Sequence, residues 1–476
     1  MGGESGGKDM KKRERNKFAG TIGFVLAAAG SAVGLGNIWR FPYLAAKDGG
    51  GLFLVVYIIL ALTFGFTLLT SELAIGRKTK LSPLKAYGEM KSGWNFLGIL
   101  SSAIPFIIFM YYCVIGGWVV KYALMYILGN GEQTAAEGYF GGFITSTWQP
   151  ILFTVIFMVC CIVIVYRGVN KGIEASSKII MPALLILVIG IAVFCLTIKG
   201  SAPDGSVRTG LEGFGVLVIP DFTGLTIGRF VTVVVDAMGQ LFYSISVAMG
   251  IMVAYGSYVR DDANLVKSIN QIELCDTVVA FLAGVMIIPA VYVFMGREGL
   301  AASGPSLMFV TLPKVFEEMG FAGHVVGALF FAMVFFAALT SAVSLMEAFT
   351  AGVLDHCHKM SRKKATVLCG LVTIAGAIVV CLGYNIFYFE VSFATVKNGQ
   401  ILDFLDYISN SFAMPILAIC TCILIGWVVG PKAIVDEVEK SGAKFGRRGL
   451  YIVMVKYVSP ILLTFLLLNS MGLITL

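Results

Sequence analysis

The chain has little charge and few residues of the kinds that build catalytic or metal centres. Only 13% of its 476 residues are charged and three are histidine, whereas a soluble domain has about 25% charged residues. The ten cysteines are scattered, with no Cys-x-x-Cys pair, and we expect them to be small buried apolar residues. An Asn-x-Ser/Thr glycosylation sequon is also absent, which favours a prokaryotic source. A soluble protein and an enzyme are therefore both disfavoured.

Long apolar runs fill the space that charge leaves. A membrane-spanning helix needs about 20 apolar residues, and eleven stretches are long enough. They lie near residues 18–45, 50–76, 96–128, 148–166, 174–198, 228–255, 265–295, 322–354, 365–384, 402–428 and 450–474, and we number them spans 1 to 11. The pattern predicts an all-α polytopic membrane protein.

Lysine and arginine are distributed unevenly between the loops. They concentrate in the tail at 1–17 and in the alternate loops near 77–91, 167–178, 260–267, 359–364 and 432–448, whereas the loop at 129–147 has none. Cytoplasmic loops carry the excess of positive charge. The N-terminus is therefore predicted to be cytoplasmic and, with an odd number of spans, the C-terminus external. This asymmetry accounts for the net charge of +7, so no nucleic-acid partner is inferred.

Span 1 contains residues that an ordinary lipid-crossing helix avoids. Its centre reads GSAVGLGNIWRFP at 30–42, with three glycines, Asn37, Arg40 and Pro42 near the middle of the membrane. Helix breakers and polar groups are costly in hydrocarbon unless they line a cavity or a site. We therefore expect span 1 to be broken.

Span 6 shows a weaker version of the same pattern. Gly239 and Gly250 flank Tyr243, Ser244 and Ser246, but no proline marks a break. Two interrupted helices five spans apart point to an inverted repeat in which discontinuous helices meet at mid-membrane.

Several other spans contain isolated polar residues. Ser and Thr in membrane helices commonly bond within or between helices, and Tyr at a span end is commonly an interfacial anchor. An acid such as Asp276 is harder to explain structurally, because a charge at the membrane centre costs about 3 kcal/mol or more. The polar residues are Glu72, Tyr111, Tyr112, Asp276, Thr340, Ser341, Glu347, Asp403 and Asp406.

Seven segments follow one another along most of the chain: GSAVGLGNIWRFP at 30–42, GGG at 49–51, ELAIGR at 72–77, GQLFYSISVAMG at 239–250, YGSYVR at 255–260, FAALTS at 336–341 and DFLD at 403–406. In these segments and their order, the chain resembles the neurotransmitter:sodium symporter family, in its bacterial, leucine-transporter-like amino-acid type. The resemblance implies a leucine-transporter-type 5+5 inverted repeat with broken helices 1 and 6. The repeats would be 18–198 and 228–428, with 1–17 a basic cytoplasmic tail and 450–474 a peripheral helix 11.

The resemblance also implies two sodium ions. One would bind the Ala32 carbonyl, Asn37, Ser244, Asp276 and the substrate carboxylate. The other would bind carbonyls of Gly30, Val33 and Ala337 and the hydroxyls of Thr340 and Ser341. Sodium, like other hard cations, prefers such oxygen ligands.

The substrate would lie between the two broken helices. By resemblance, backbone N–H groups of Leu35 and Gly36 and the Tyr112 hydroxyl hold the carboxylate, and Gly34 leaves room for it. The implied substrate-binding residues are Ser31, Ala32, Leu35, Gly36, Ile108, Tyr112, Tyr243, Ser244, Ser246, Met249, Ser341 and Leu345. They carry no charged side chain, which favours a neutral amino acid.

Two gates and one hinge complete the comparison. Arg40 and Asp406 would pair on the outer side, and Arg15 and Asp355, with Tyr258, on the cytoplasmic side. The alternative is that these are ordinary interfacial charges. Gly172 and Pro182 would let span 5 unwind at the cytoplasmic end.

The sequence departs from many family members at Asp276, where they carry Asn, and four residues later at Ala280. We hypothesise that the Asp276 carboxylate supplies the negative charge that chloride supplies elsewhere. It could also take up a proton when sodium leaves.

The sequence thus predicts a sodium-coupled symporter, not an enzyme, that imports a neutral L-amino acid by alternating access without chloride. It would be a multi-pass protein of a prokaryotic inner membrane whose partners are the amino-acid substrate and the lipid bilayer, with no obligatory protein partner. Two alternatives are a proton-coupled amino-acid carrier, if Asp276 or Glu72 titrates during the cycle, and an amino-acid sensor that does not transport.

Overall fold

The computed structural model describes residues 17–201, 207–302 and 304–474. Within these ranges nine helices are long and apolar enough to cross a membrane, and a bent pair makes a further crossing. The nine spans are Gly51–Thr79 (span 2), Asn95–Ile127 (span 3), Trp148–Tyr166 (span 4), Val169–Thr197 (span 5), Leu265–Gly299 (span 7), Phe321–His356 (span 8), Arg362–Leu382 (span 9), Ile401–Val428 (span 10) and Arg448–Ser470 (span 11). Span 7 has a kink near its end, where Gly296 leaves the helical conformation (φ 69°, ψ −166°). The predicted polytopic helical architecture is confirmed.

Span 1 is broken as predicted. Its halves, Thr21–Ala32 and Gly36–Lys47, meet at an angle of 52°. Val33 leaves the helix with an extended backbone (φ −76°, ψ 92°), and the second half begins with the π-helical turn Gly36–Arg40. Pro42 directly follows this turn, as the second residue of the segment Phe41–Lys47, and its missing N–H removes one donor from the continuous half-helix.

Span 6 is also broken, although it has no proline. Its halves are Ile227–Ser244 and Ile251–Tyr258. Ser246 and Ala248 between them have φ values of +55° and +56°, a left-handed conformation that costs L-residues about 1–2 kcal/mol each. Such strain persists where surrounding structure holds it, often at functional sites.

Short elements connect the spans. The helices are Pro83–Met90, Gly131–Ala135, Tyr139–Thr145, Gly210–Val218, Gly304–Ser306, Leu307–Thr311, Leu312–Glu318 and Lys432–Glu439. Strands β1 (Lys199–Ser201) and β2 (Val207–Thr209) pair antiparallel with Lys199 opposite Thr209. Strands β3 (Val391–Phe393) and β4 (Val396–Gly399) form a second antiparallel pair.

Span 2 and the second half of span 6 approach each other backbone to backbone. A Cβ atom on Gly76 would overlap the Val253 carbonyl, and one on Gly256 would overlap the Leu73 carbonyl. Small residues are what allow membrane helices to pack this closely. Two glycines, one on each helix, therefore fix this contact.

We call the end of the bundle that carries the lysine- and arginine-rich loops the basic end. There the buried Arg77 side chain donates to Glu437 Oε1 (2.8 Å) and to the Ala263 carbonyl (2.9 Å). Lys80 pairs with Asp261 at 2.9 Å, and this hydrogen bond lowers the pKa of the Asp261 carboxyl. These contacts tie the loop after span 6 and the helix Lys432–Glu439 to the end of span 2.

Candidate functional site

A cavity lies between the breaks in spans 1 and 6. All twelve residues that the resemblance implies for substrate binding line it, together with Gly34, Asn37 and Ile251. The twelve are Ser31, Ala32, Leu35, Gly36, Ile108, Tyr112, Tyr243, Ser244, Ser246, Met249, Ser341 and Leu345. Spans 1, 3, 6 and 8 thus meet around one space.

Two glycines of span 1 shape this cavity. A Cβ atom on Gly36 would lie 2.8 Å from the Tyr243 ring, and one on Gly34 would lie 2.8 Å from Ser341 Oγ and 3.4 Å from the Tyr112 hydroxyl. The missing side chains therefore let residues of spans 3, 6 and 8 reach the broken backbone of span 1.

Hydroxyl groups hold the two breaks together. The Ser31 carbonyl, near the end of the first half of span 1, accepts from Ser246 Oγ (2.9 Å) and Ser341 Oγ (3.0 Å). The last carbonyls of a helix have no partner within it and must be satisfied from outside. On the second half, the Gly36 carbonyl accepts from Gln240 Nε2 at 3.1 Å.

The Asp276 carboxylate lies beside the cavity and is fully buried. Its Oδ1 accepts from Ser244 Oγ (2.6 Å) and Asn37 Nδ2 (2.8 Å), and its Oδ2 accepts from the Tyr57 hydroxyl (3.3 Å). No Lys or Arg within the described ranges forms an ion pair with it. A buried carboxylate with neutral partners and neighbouring side-chain oxygens suits a hard cation such as sodium.

Sequence reasoning missed Tyr57 in this network. The residue lies in the first third of span 2, 219 positions before Asp276. A tyrosine inside a span was the available signal, because a buried phenol needs a hydrogen-bond partner.

Of the second proposed sodium set, the structure brings Gly30 of span 1 next to Thr340 of span 8, and the full set stays a prediction. Thr340 Oγ1 lies 3.1 Å from the Ala337 carbonyl, and a Cβ atom on Gly30 would lie 3.3 Å from Thr340 Cβ. Val33 is buried where the first half of span 1 ends. The set contains only neutral oxygen donors, in keeping with a monovalent cation.

A wider cavity opens beyond the first, away from the basic end. Arg40 and Asp406 both line it, but within the described part of the chain their side chains form no ion pair within 4.0 Å. Asp406 Oδ1 accepts from Asn410 Nδ2 at 2.5 Å instead. Tyr243 lines both cavities and lies between them. The Arg40–Asp406 pair stays a prediction.

At the basic end, Tyr258 contacts Glu347, a residue that the sequence analysis did not group with it. The Tyr258 hydroxyl donates to Glu347 Oε1 at 2.6 Å, and Arg362 Nη1 donates to the same oxygen at 3.1 Å. Asp355 Oδ2 accepts from the Ser82 amide at 2.7 Å. Arg15 lies outside the described residues. Sequence reasoning noted Glu347 without a role and missed Arg362, although a buried acid in a span calls for a cationic partner.

Span 5 is helical through the predicted hinge. Gly172 lies in the turn Val169–Glu174, which continues into the helix Ala175–Thr197 with Pro182 inside it. The Glu174 carboxylate accepts from the Ala19 amide at 2.8 Å, next to the start of span 1. Unwinding at this hinge stays a prediction.

Comparison with known proteins agrees with this geometry. The model of the sodium:neurotransmitter symporter family matches residues 15–130 and 145–475. An uncharacterized sodium-dependent transporter of Bacillus subtilis, YhdH, is 31% identical over 98% of this chain and 100% of its own. The human sodium- and chloride-dependent GABA transporter 2 is 24% identical, over 90% of this chain and 75% of its own.

A solved structure is similar throughout. The crystal structure of MhsT in complex with L-phenylalanine matches 96% of this chain and 100% of its own, with a TM-score of 0.82 and 32% sequence identity. The leucine-transporter-type fold that the family resemblance implied is thereby confirmed. The chain belongs to the sodium:neurotransmitter symporter family, whose members are sodium-dependent transporters and not enzymes.

Proposed function

We propose that this symporter imports a neutral L-amino acid with an apolar or aromatic side chain, together with two sodium ions and without chloride. The observation that carries the proposal is the cavity between the two breaks, which has no charged side chain in its lining. MhsT, similar over its full length, binds L-phenylalanine.

The carboxylate end of the substrate would face the second half of span 1. Backbone N–H groups of Leu35 and Gly36 lie at the start of that half, where helix N-termini attract anions. The Tyr112 hydroxyl is buried and has no hydrogen-bond partner among the described residues. It is therefore available to donate to a carboxylate. Such a bond is favourable because a buried hydroxyl without a partner is costly.

The ammonium end would face acceptors. The Ala32, Tyr243 and Ser244 carbonyls and Ser246 Oγ border the cavity by our assignment. The substrate side chain would then contact the remaining lining residues, which are Ile108, Met249, Leu345 and the ring of Tyr243. Because these are apolar or aromatic, we expect a preference for apolar or aromatic substrates.

The two sodium ions are assigned to the oxygen sets already described. The substrate carboxylate would complete the set around Asp276, so that each ligand stabilises the other's site, and this coupling is necessarily reciprocal. Because Asp276 itself brings a negative charge to the buried site, a chloride ion is not needed there.

We assign the basic end to the cytoplasm of a prokaryotic cell, following the positive-inside rule. The repeats at 18–198 and 228–428 would rock against each other around the fixed site. Arg40 and Asp406 would approach when the outer side closes, and Tyr258 would leave Glu347 when the cytoplasmic side opens.

Uptake into proteoliposomes tests the proposal. We expect accumulation of a neutral apolar amino acid under an inward sodium gradient, unchanged when gluconate replaces chloride. Potassium in place of sodium is the matched control. Binding without accumulation would support the sensor instead, and accumulation driven by protons without sodium would support the proton-coupled carrier.

A further inference from the structure

A separate groove lies at the basic end, away from the site between the breaks. It runs between the start of span 7 and the segment 440–447 that leads into span 11. Its lining consists of Asn264, Val266, Lys267, Asn270, Gln271, Leu274, Ala443 and Lys444.

The groove changes in chemistry along the helix. Lys267, Asn270 or Gln271, and Leu274 follow one another at intervals of three or four residues, so they share a face of span 7. The order is charge, then amide, then hydrocarbon. Leu274 is 63% exposed, and Val278 on the next turn is 41% exposed, as expected for a surface in contact with acyl chains.

Two lysines lie at the charged end of the groove. Lys267 and Lys444 form no ion pair with any residue in the described part of the chain, whereas nearby Arg447 pairs with Glu273 at 3.1 Å. Asn264 caps span 7 by accepting from the Lys267 amide at 3.0 Å, so the positive helix terminus also lies here.

We infer that this groove binds an anionic phospholipid, with its phosphate between Lys267 and Lys444 and an acyl chain along Leu274 and Val278. A soluble anion would use the lysines but would leave the adjoining apolar face without a role. A zwitterionic lipid would cover that face but would not use the two unpaired cations. Basic pockets beside membrane helices are known to recognise anionic headgroups.

Native mass spectrometry of the full-length protein tests the inference. The probe is phosphatidylglycerol, titrated against phosphatidylcholine with the same acyl chains. Each lysine near a membrane surface contributes about 1 kcal/mol, so we expect the double variant Lys267→Gln/Lys444→Gln to bind phosphatidylglycerol about 30-fold more weakly. The variant Lys267→Arg/Lys444→Arg should retain binding, which controls for folding.

The matched control removes two lysines of the same end that lie outside the groove, as Lys91→Gln/Lys359→Gln. It should bind phosphatidylglycerol like the unmodified protein. Equal losses in both double variants would show a general charge effect and overturn the inference. Displacement of the lipid by millimolar inorganic phosphate, or equal binding of phosphatidylcholine, would overturn it as well.

Discussion

Replacing Asp276 by Asn tests the proposed sodium chemistry while keeping the shape of the side chain. The amide oxygen can still accept from Ser244 and Asn37, as Oδ1 does now at 2.6 and 2.8 Å. A hydrogen bond to a charged group contributes about 1.5–3 kcal/mol and a neutral one about 0.5–1.5 kcal/mol. These two bonds weaken and the bond with the Tyr57 hydroxyl must reverse, because an amide nitrogen donates, but the cost of burying a charge disappears. We therefore expect a small change in the unfolding temperature.

The effect on sodium should be much larger. Two unit charges about 4 Å apart attract by about 4 kcal/mol at an effective dielectric constant of 20. That corresponds to about 1,000-fold in affinity, and penetrating water reduces it. We therefore expect Asp276→Asn to raise the sodium concentration for half-maximal amino-acid binding between about 10- and 1,000-fold.

The assay is sodium-dependent binding of a radiolabelled amino acid to the purified protein, alongside its unfolding temperature. Asp403→Asn, which removes a carboxylate from the wider cavity, is the matched control and should leave the sodium requirement unchanged. A folded Asp276→Asn protein with an unaltered sodium requirement would refute the reasoning. If Asp276 replaces chloride, the further change Ala280→Ser should make transport by this variant depend on chloride.

Three other substitutions probe the site and the packing. Gly34→Asp places a carboxylate where even a Cβ atom lies 2.8 Å from the nearest hydroxyl. Amino-acid binding should therefore fall at least 100-fold in competition assays. Retained binding would contradict the position assigned to the substrate carboxylate. Tyr258→Phe removes the 2.6 Å hydrogen bond to Glu347, which contributes about 1.5–3 kcal/mol with a charged acceptor. The variant should open more readily at the basic end, measured as faster labelling of a cysteine introduced there, and unchanged labelling would show that this bond does not hold the end closed. Gly76→Ala forces apart the backbones of span 2 and the second half of span 6 and should clearly lower the unfolding temperature of the protein. The control Gly142→Ala, which has open space around it, should not. Equal effects would show that the close contact between these two helices is unimportant.

The sequence predicted the spans well because hydropathy is local. Each apolar run is long enough to be recognised as a membrane span. The glycines, Asn37 and Pro42 mark the break in span 1 directly. The break in span 6 had a weaker signal, because left-handed Ser246 and Ala248 are held by their surroundings and not by their residue types. A single sequence shows no such tertiary constraint.

Partners distant in sequence were the harder part of the site. Asp276 stood out as an intramembrane acid, yet its contact with Tyr57 depends on how spans 2 and 7 pack. Likewise, Glu347 could be recognised as a buried acid, but several cations follow span 8, and only the fold selects Arg362. Residue types give the chemistry that is needed, whereas the arrangement of helices decides which residue supplies it.

The paired glycines between span 2 and the second half of span 6 determine where the protein can shear. Two backbones in direct contact leave no layer of side chains that could slide or change rotamer, so these helices should travel as one rigid body. We then expect relative motion on the other side of the span 6 segment, where Tyr255 and Tyr258 form hydrogen bonds with Ser344 and Glu347 of span 8. Such hydrogen bonds can be exchanged for water one at a time. The span 6 segment should therefore move easily relative to span 8 while its contact with span 2 stays fixed.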